Sequence, residues 1–353
     1  MVKEVQASRE GVPEELRDHD QLHLAPPIRR LGCAAYLVQE ERIAATVPVT
    51  ERFDRRTRRQ LAGLLMKARF VVLGGVGLLQ PWQPVPGSPA HAEPGLALDL
   101  PALPPIGGPL DLPLIQTRSF LGQAADELAA VGALQLSPPP VRFAAIGPLA
   151  RASAERAFTV VWLLHQDRDI RVARSLALEL TGLEAQLRYL EASSQPLATK
   201  VRSQTAALLR VVTSLYGPGA VDRSERYRPA VNGERLPGRT SLLRSYYTDE
   251  PAIGASAYGE LSVFTHPTAA LADQTPEWSA VGLKQVLHVP RSSIHDEGRL
   301  LDVPLLGLLK ATEAVADYLG RSSDQVVGWS RDIFVVTRLW CLKNGCAPSV
   351  RPG

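Results

Sequence analysis

The stretch RASAERAFTVVWLLHQDRDIRVARSLALEL, residues 151 to 180, decides the fold class. Followed a little further, Leu176, Leu180, Leu183, Leu187 and Leu190 recur at steps of four and three, which places them along one face of an α-helix. Such a stripe is the core side of a helix or a seam for a partner helix. Upstream, AFTVVWLL is a strongly apolar helix, and it carries polar partners beside it. Arg151 and Glu155 are four apart, and Arg171 and Arg174 are three apart, so each pair shares a helix face.

Working outward, helical patterning covers about 53–79, 141–165, 196–215, 239–247, 252–265, 300–319 and 324–343. The first of these opens on ERFDRRTRR, a solvated helix start, and GGVG at 74–77 reads as a helix end. Only KQVLHVP, 284–290, looks strand-like, and no repeat of fixed period is present. The expected fold is therefore mainly α, a multi-helix bundle with little or no β. Residues 81–113 are so rich in proline and glycine that regular helix is not expected, and an extended course against the helical body is. This divides the chain into an N-terminal arm and helix (1–80), a Pro/Gly-rich extended linker (81–113), a helical-bundle domain (114–345) and a tail (346–353). Between 216 and 240, Arg223, Arg226, Arg228, Arg235 and Arg239 stand against Asp222, Glu225 and Glu234, in what reads as a mobile basic loop between helices.

Composition narrows the function classes. With 353 residues, 45% of them hydrophobic, the chain can bury a substantial core, which excludes a disordered regulator. A formal net charge of +3 by itself demands neither a nucleic-acid nor a membrane partner. Cys33, Cys341 and Cys346 make an odd count, and four residues separate the last two, unlike a zinc knuckle or a redox pair. A reducing, cytoplasmic compartment is expected. The segment MVKEVQASREGVPEEL lacks the apolar core of a signal peptide, and FVVLGGVGLL, 70–79, is about half of what a membrane span requires.

The most informative segment beside 151–180 is YGELSVFTHP, 258–267. Tyr258, Ser262 and His266 recur every four residues and would line one helix stripe, which Pro267 ends. An early helix of the form R-x3-E-x-A followed by WLL and arginines, then a later helix ending in Y-x3-S-x3-H-P, resembles a group of bacterial all-helical proteins. These are similar in turn to the HEPN superfamily of helical bundles, many of whose members are RNases in toxin, antiphage or RNA-processing systems. The resemblance spans Arg151 to Pro267 and implies a site of His266, Ser262 and Tyr258 with Arg151, Glu155 and Arg156. Active members carry an arginine four to six residues before the histidine. Here Gly259 to Thr265 contains none, and Glu260 stands six residues before His266. An arginine from another helix, Arg151 or Arg156, would have to serve.

In that reading His266 is the general acid or base and an arginine stabilises the phosphate, while Arg223, Arg226, Arg228, Arg239 and Arg244 guide an RNA strand. The plainer reading makes His266 a helix C-terminal residue favoured by the dipole, with Tyr258 and Ser262 bonded across the bundle. Weaker signals are HDQLH at 19–23, which imitates a two-histidine zinc helix, and His288 and His295 beside Asp296 and Glu297. Neither has a defined ligand set, so no metal and no cofactor is expected. The functional expectation is an RNA-acting or RNA-binding bundle in a toxin or defence setting. Two alternatives stay open: a homodimerising or protein-binding helical protein, and a small-molecule enzyme whose pocket Trp162, Trp278, Trp329 or Trp340 would line.

Overall fold

A computed structural model of the chain describes residues 55–75, 84–93, 108, 110–136, 139–225, 227–245, 261, 278–281, 284–287 and 294–321. All of them belong to one unit, Val47–Gly353. They form eight helices and five short strands. In order these are α1 (Arg55–Gly75), α2 (Pro89–Ala92), α3 (Leu112–Leu134), α4 (Pro139–Leu163), α5 (Arg168–Ser193), α6 (Gln195–Tyr216), β1 (Val221–Asp222), β2 (Ala230–Val231), β3 (Glu234–Arg235), α7 (Arg239–Arg244), β4 (Trp278–Val281), β5 (Lys284–Leu287) and α8 (Ile294–Leu319). The architecture is mainly α, as the periodicity of 151–180 requires.

The larger core lies where α3 packs on α1 and α4, and α4 packs on α8. Leu61, Leu65, Leu121, Leu128, Phe158, Leu163, Leu301 and Leu319 fill it, with Leu242, Leu243 and Leu261 closing one side. Small residues let the helices approach. A Cβ on Gly132 would stand 3.1 Å from Ala62 O, and one on Gly307 would stand 3.2 Å from Cε2 of Phe158, so the missing side chains are where α1 meets α3 and α4 meets α8. Prolines 148 and 304 lie inside α4 and α8, each omitting a ladder donor. Burial of Ile146, Ala150, Val303 and Leu305 around them shows tertiary packing overriding local propensity.

A second core joins α5 to α6 and takes in Leu110, Leu112 and Val231. Along the leucine stripe, Leu176, Leu180 and Leu183 are buried, whereas Leu187 and Leu190 are half-buried against it. Asp167 starts α5 as its N-cap, accepting from the N–H groups of Asp169 (2.8 Å) and Ile170 (3.1 Å).

Two expectations are corrected by the structure. The 216–240 segment contains a three-stranded antiparallel sheet, order β1-β2-β3, and is not a free loop. Val231 pairs with Glu234 across Asn232-Gly233, whose φ values of 49° and 80° are those of a type I′ turn. Sheet twist favours this turn, and Asn-Gly is its strongest sequence signal. We expect Gly233→Ala to cost about 1–2 kcal/mol through the left-handed backbone it must adopt. The denaturant midpoint will show this, and an unchanged midpoint would refute it. The second correction falls within 81–113. Pro89–Ala92 forms one helical turn, because Ser88 accepts from the His91 N–H at 3.2 Å and Pro89 occupies a position whose N–H a helix leaves unbonded. Trp278–Val281 pairs antiparallel with Lys284–Leu287, so the strand read at 284–290 has a partner that the sequence had not suggested.

Candidate functional site

Helix α4 carries the described part of the expected site. Arg151 and Glu155, one turn apart, form an ion pair with Nε 2.7 Å from Oε1, and Arg151 is buried. The other carboxylate oxygen of Glu155 receives Arg239 Nε at 3.2 Å, from the first residue of α7. Arg239 is 65% exposed, so Glu155 joins an interior guanidinium to one at the surface. The Thr159 hydroxyl donates to the Glu155 carbonyl at 2.7 Å. Arg156 points to α3, where it bonds Gln123 Oε1 at 2.8 Å and Glu127 Oε1.

Glu127 is the member of this cluster that the sequence reading did not include. Burial holds its carboxyl above the usual range. Arg156 opposes the shift, and the charges of Glu155 and Asp126 add to it. Its Oε2 is buried and accepts no hydrogen bond. Glu179 on α5 is raised for the same first reason, with Gln116 opposing. A carboxyl raised on folding binds its proton more tightly in the native state, so native stability falls as pH rises through that range. Replacing Glu127 with Gln should therefore raise thermal stability relative to wild type progressively as pH rises above the ordinary carboxylate range. A difference independent of pH would show that Arg156 fully compensates the burial.

The expected residues are distributed as follows. Arg151, Glu155 and Arg156 lie on α4, with Arg151 and Glu155 joined to each other and Arg156 turned to α3. Tyr258, Ser262 and His266 lie outside the described residues. Leu261, between them in sequence, is helical and buried in the core that α4 lines. Among the arginines expected to contact RNA, Arg223 bonds Glu184 at 3.0 Å, Arg228 pairs with Glu225 at 2.6 Å, and Arg239 with Glu155. Arg244 is exposed at the end of α7, and Arg226 lies outside the described residues. Trp162 is buried with Arg174 over its ring at 5.2 Å, and Trp278 sits in β4. Trp329, Trp340, His288, the histidines of HDQLH and all three cysteines lie outside the described residues. Among the described residues no group of three or more His, Cys, Asp or Glu could hold a metal, and no helix is long and apolar enough to cross a membrane.

Arg171 and Arg174 do something different from the pair at 151–155. Arg171 Nη1 donates to the carbonyls of His165 and, at 3.3 Å, Gln166, and Arg174 Nη1 donates to that of Trp162 at 2.6 Å. Arg174 thus serves a carbonyl in the last turn of α4, where helix geometry leaves acceptors unbonded and the dipole favours a cation, and Arg171 serves two carbonyls of the connection between α4 and α5. Each also takes a carboxylate from a distant segment. Arg174 Nε bonds Glu234 Oε2 of β3 at 2.7 Å, and Arg171 meets Glu93, just after α2. The Glu93–Arg171 pair is sealed, each side chain being 3% exposed. The Tyr318 hydroxyl donates to Glu93 Oε2 at 2.8 Å, and the Arg171 guanidinium lies 4.9 Å from the centre of the Tyr318 ring. Burial, then the charge and hydrogen bond of Glu93, drive the Tyr318 phenol upward from its ordinary pKa.

The described residues define a helical bundle in which Arg156, Arg171 and Arg174 are each tied to a carboxylate of another element. The chain matches no family model, and no curated protein and no solved structure is significantly similar to it.

Proposed function

We propose that this is a HEPN-like helical-bundle protein that acts on or binds RNA, with the α4 charge cluster as its centre. The observation that supports the reading is the pairing of Arg151 and Glu155 within the bundle, with Arg239 reaching the same carboxylate from the surface. Burying charge is costly, and charged clusters of this kind concentrate at functional sites. Burial of Leu261 in the core beside α4 fits a stretch 258–267 that contributes to the same centre. Because Glu155 already occupies both arginines, an RNA phosphate would engage Arg239 by competing with it. The test compares wild type, Arg239→Ala and His266→Ala. Arg239→Ala should weaken RNA binding and make the salt dependence shallower by about one charge, with melting unchanged. His266→Ala should remove any cleavage while leaving the fold intact. Absence of RNA binding by the wild-type protein would end this reading.

A second reading, a homodimer, is favoured by one observation. Tyr189 and Leu197 stand 74% and 51% exposed on the α5–α6 hairpin, beyond the buried part of the leucine stripe. Pairing two hairpins would bury both residues. Light scattering should then find a dimer that Tyr189→Glu with Leu197→Glu converts to a monomer. A wild-type monomer would remove this reading without affecting the first.

A further inference from the structure

The Glu93 carboxylate is held as a bound ligand would be. One oxygen accepts Nε of Arg171 at 3.1 Å together with Nη2, and the other accepts the Tyr318 phenol at 2.8 Å. The donors belong to the bundle. Arg171 is on α5, fixed by the carbonyls of His165 and Gln166 and by its place over the Tyr318 ring, and Tyr318 is in the last turn of α8. The acceptor belongs to a different element, the short segment 84–93. Outside Glu93, that segment is attached by the Val85 N–H on Leu319 O at 3.0 Å, by buried Ala90 and by Ser88 packed where Gly320 has no side chain.

An apolar side chain would anchor such a segment at least as well, since a buried ion pair roughly balances its own desolvation cost. What the fork and phenol add is selectivity. Two nitrogens of one guanidinium on one oxygen and a hydroxyl on the other fit a planar, two-oxygen anion, whereas a spherical anion leaves one set unbonded.

We propose that Arg171 and Tyr318 form a carboxylate-recognition site of the bundle, which Glu93 fills in cis, and that its ligand class is the small monocarboxylate. The site stands independently of the RNA reading, because none of its residues belongs to the α4 cluster. Removing the Glu93 side chain opens a space lined by the same three donors, and formate or acetate then takes the place of the missing carboxyl group.

The test uses the full chain as wild type, Glu93→Ala and the double variant Glu93→Ala with Arg171→Met, each melted in sodium formate, sodium acetate, sodium chloride and inorganic phosphate at equal ionic strength. The site predicts a saturable rise of several degrees for Glu93→Ala in formate and acetate only. It predicts no such rise for wild type, whose site is filled, or for the double variant, which lacks the fork. If Glu93→Ala is unfolded in chloride, recovery of the folded protein in formate supports the site, and no recovery while the double variant folds overturns it. An equal response to chloride or phosphate, or an equal response of the double variant, also overturns it.

Discussion

Truncating Phe158 to alanine should cost about 3–5 kcal/mol, which for a protein of this size lowers the melting temperature by about 4–7 °C. Phe158 is fully buried at the centre of the main core, on the face of α4 turned to α8. Glycine at position 307 leaves room for the ring, since a Cβ there would stand 3.4 Å from Cζ and 3.2 Å from Cε2, the latter closer than ordinary van der Waals contact. Helix α8 packs along α4 through many other buried side chains, Val303, Leu308 and Ala311 among them, which limit its collapse into the space that the ring leaves. A cavity remains, and its cost adds to the lost transfer energy. Urea titration should show a lower midpoint with an unchanged slope. A loss under about 1 kcal/mol would mean that the α4–α8 contact is not what holds the core.

Replacing Arg171 alone with alanine should be of similar size, about 3–5 kcal/mol, for an electrostatic reason. The Glu93 carboxylate, 3% exposed, would keep only the Tyr318 hydroxyl and lose its counter-charge, and the carbonyls of His165 and Gln166, between α4 and α5, would lose their Arg171 donor. Glu93→Ala strands the guanidinium in turn, although those two carbonyls still accept from it. The double variant Glu93→Ala with Arg171→Ala should therefore be less destabilised than the sum of the two single changes, by one to several kcal/mol, roughly the coupling expected of residues in direct contact. Additivity within about 0.5 kcal/mol would show that the two charges are solvated independently.

The helical class, the leucine stripe and the ending of α1 at GGVG were legible in the sequence, because each depends on spacing within one element. The Asn232-Gly233 hairpin was also written there, but the charges around it drew the reading toward a mobile loop. The Arg151–Glu155 pair was legible for the same local reason, being one helical turn long. Its third member, Arg239, and the neighbouring Arg156–Glu127 contact join residues that no periodicity relates.

By itself the sequence determined the helical class and the apolar face of α5, since 3.6-residue periodicity is local. Only the tertiary structure decided which charges meet across elements. Glu93 and Arg171 are 78 positions apart and Glu93 and Tyr318 are 225 apart, so nothing short of the packed α5 and α8 brings the three together. The physical reason is that a buried charge is stable only beside its partner. Where that partner lies is fixed by how the helices pack, not by the residues next to it in the chain.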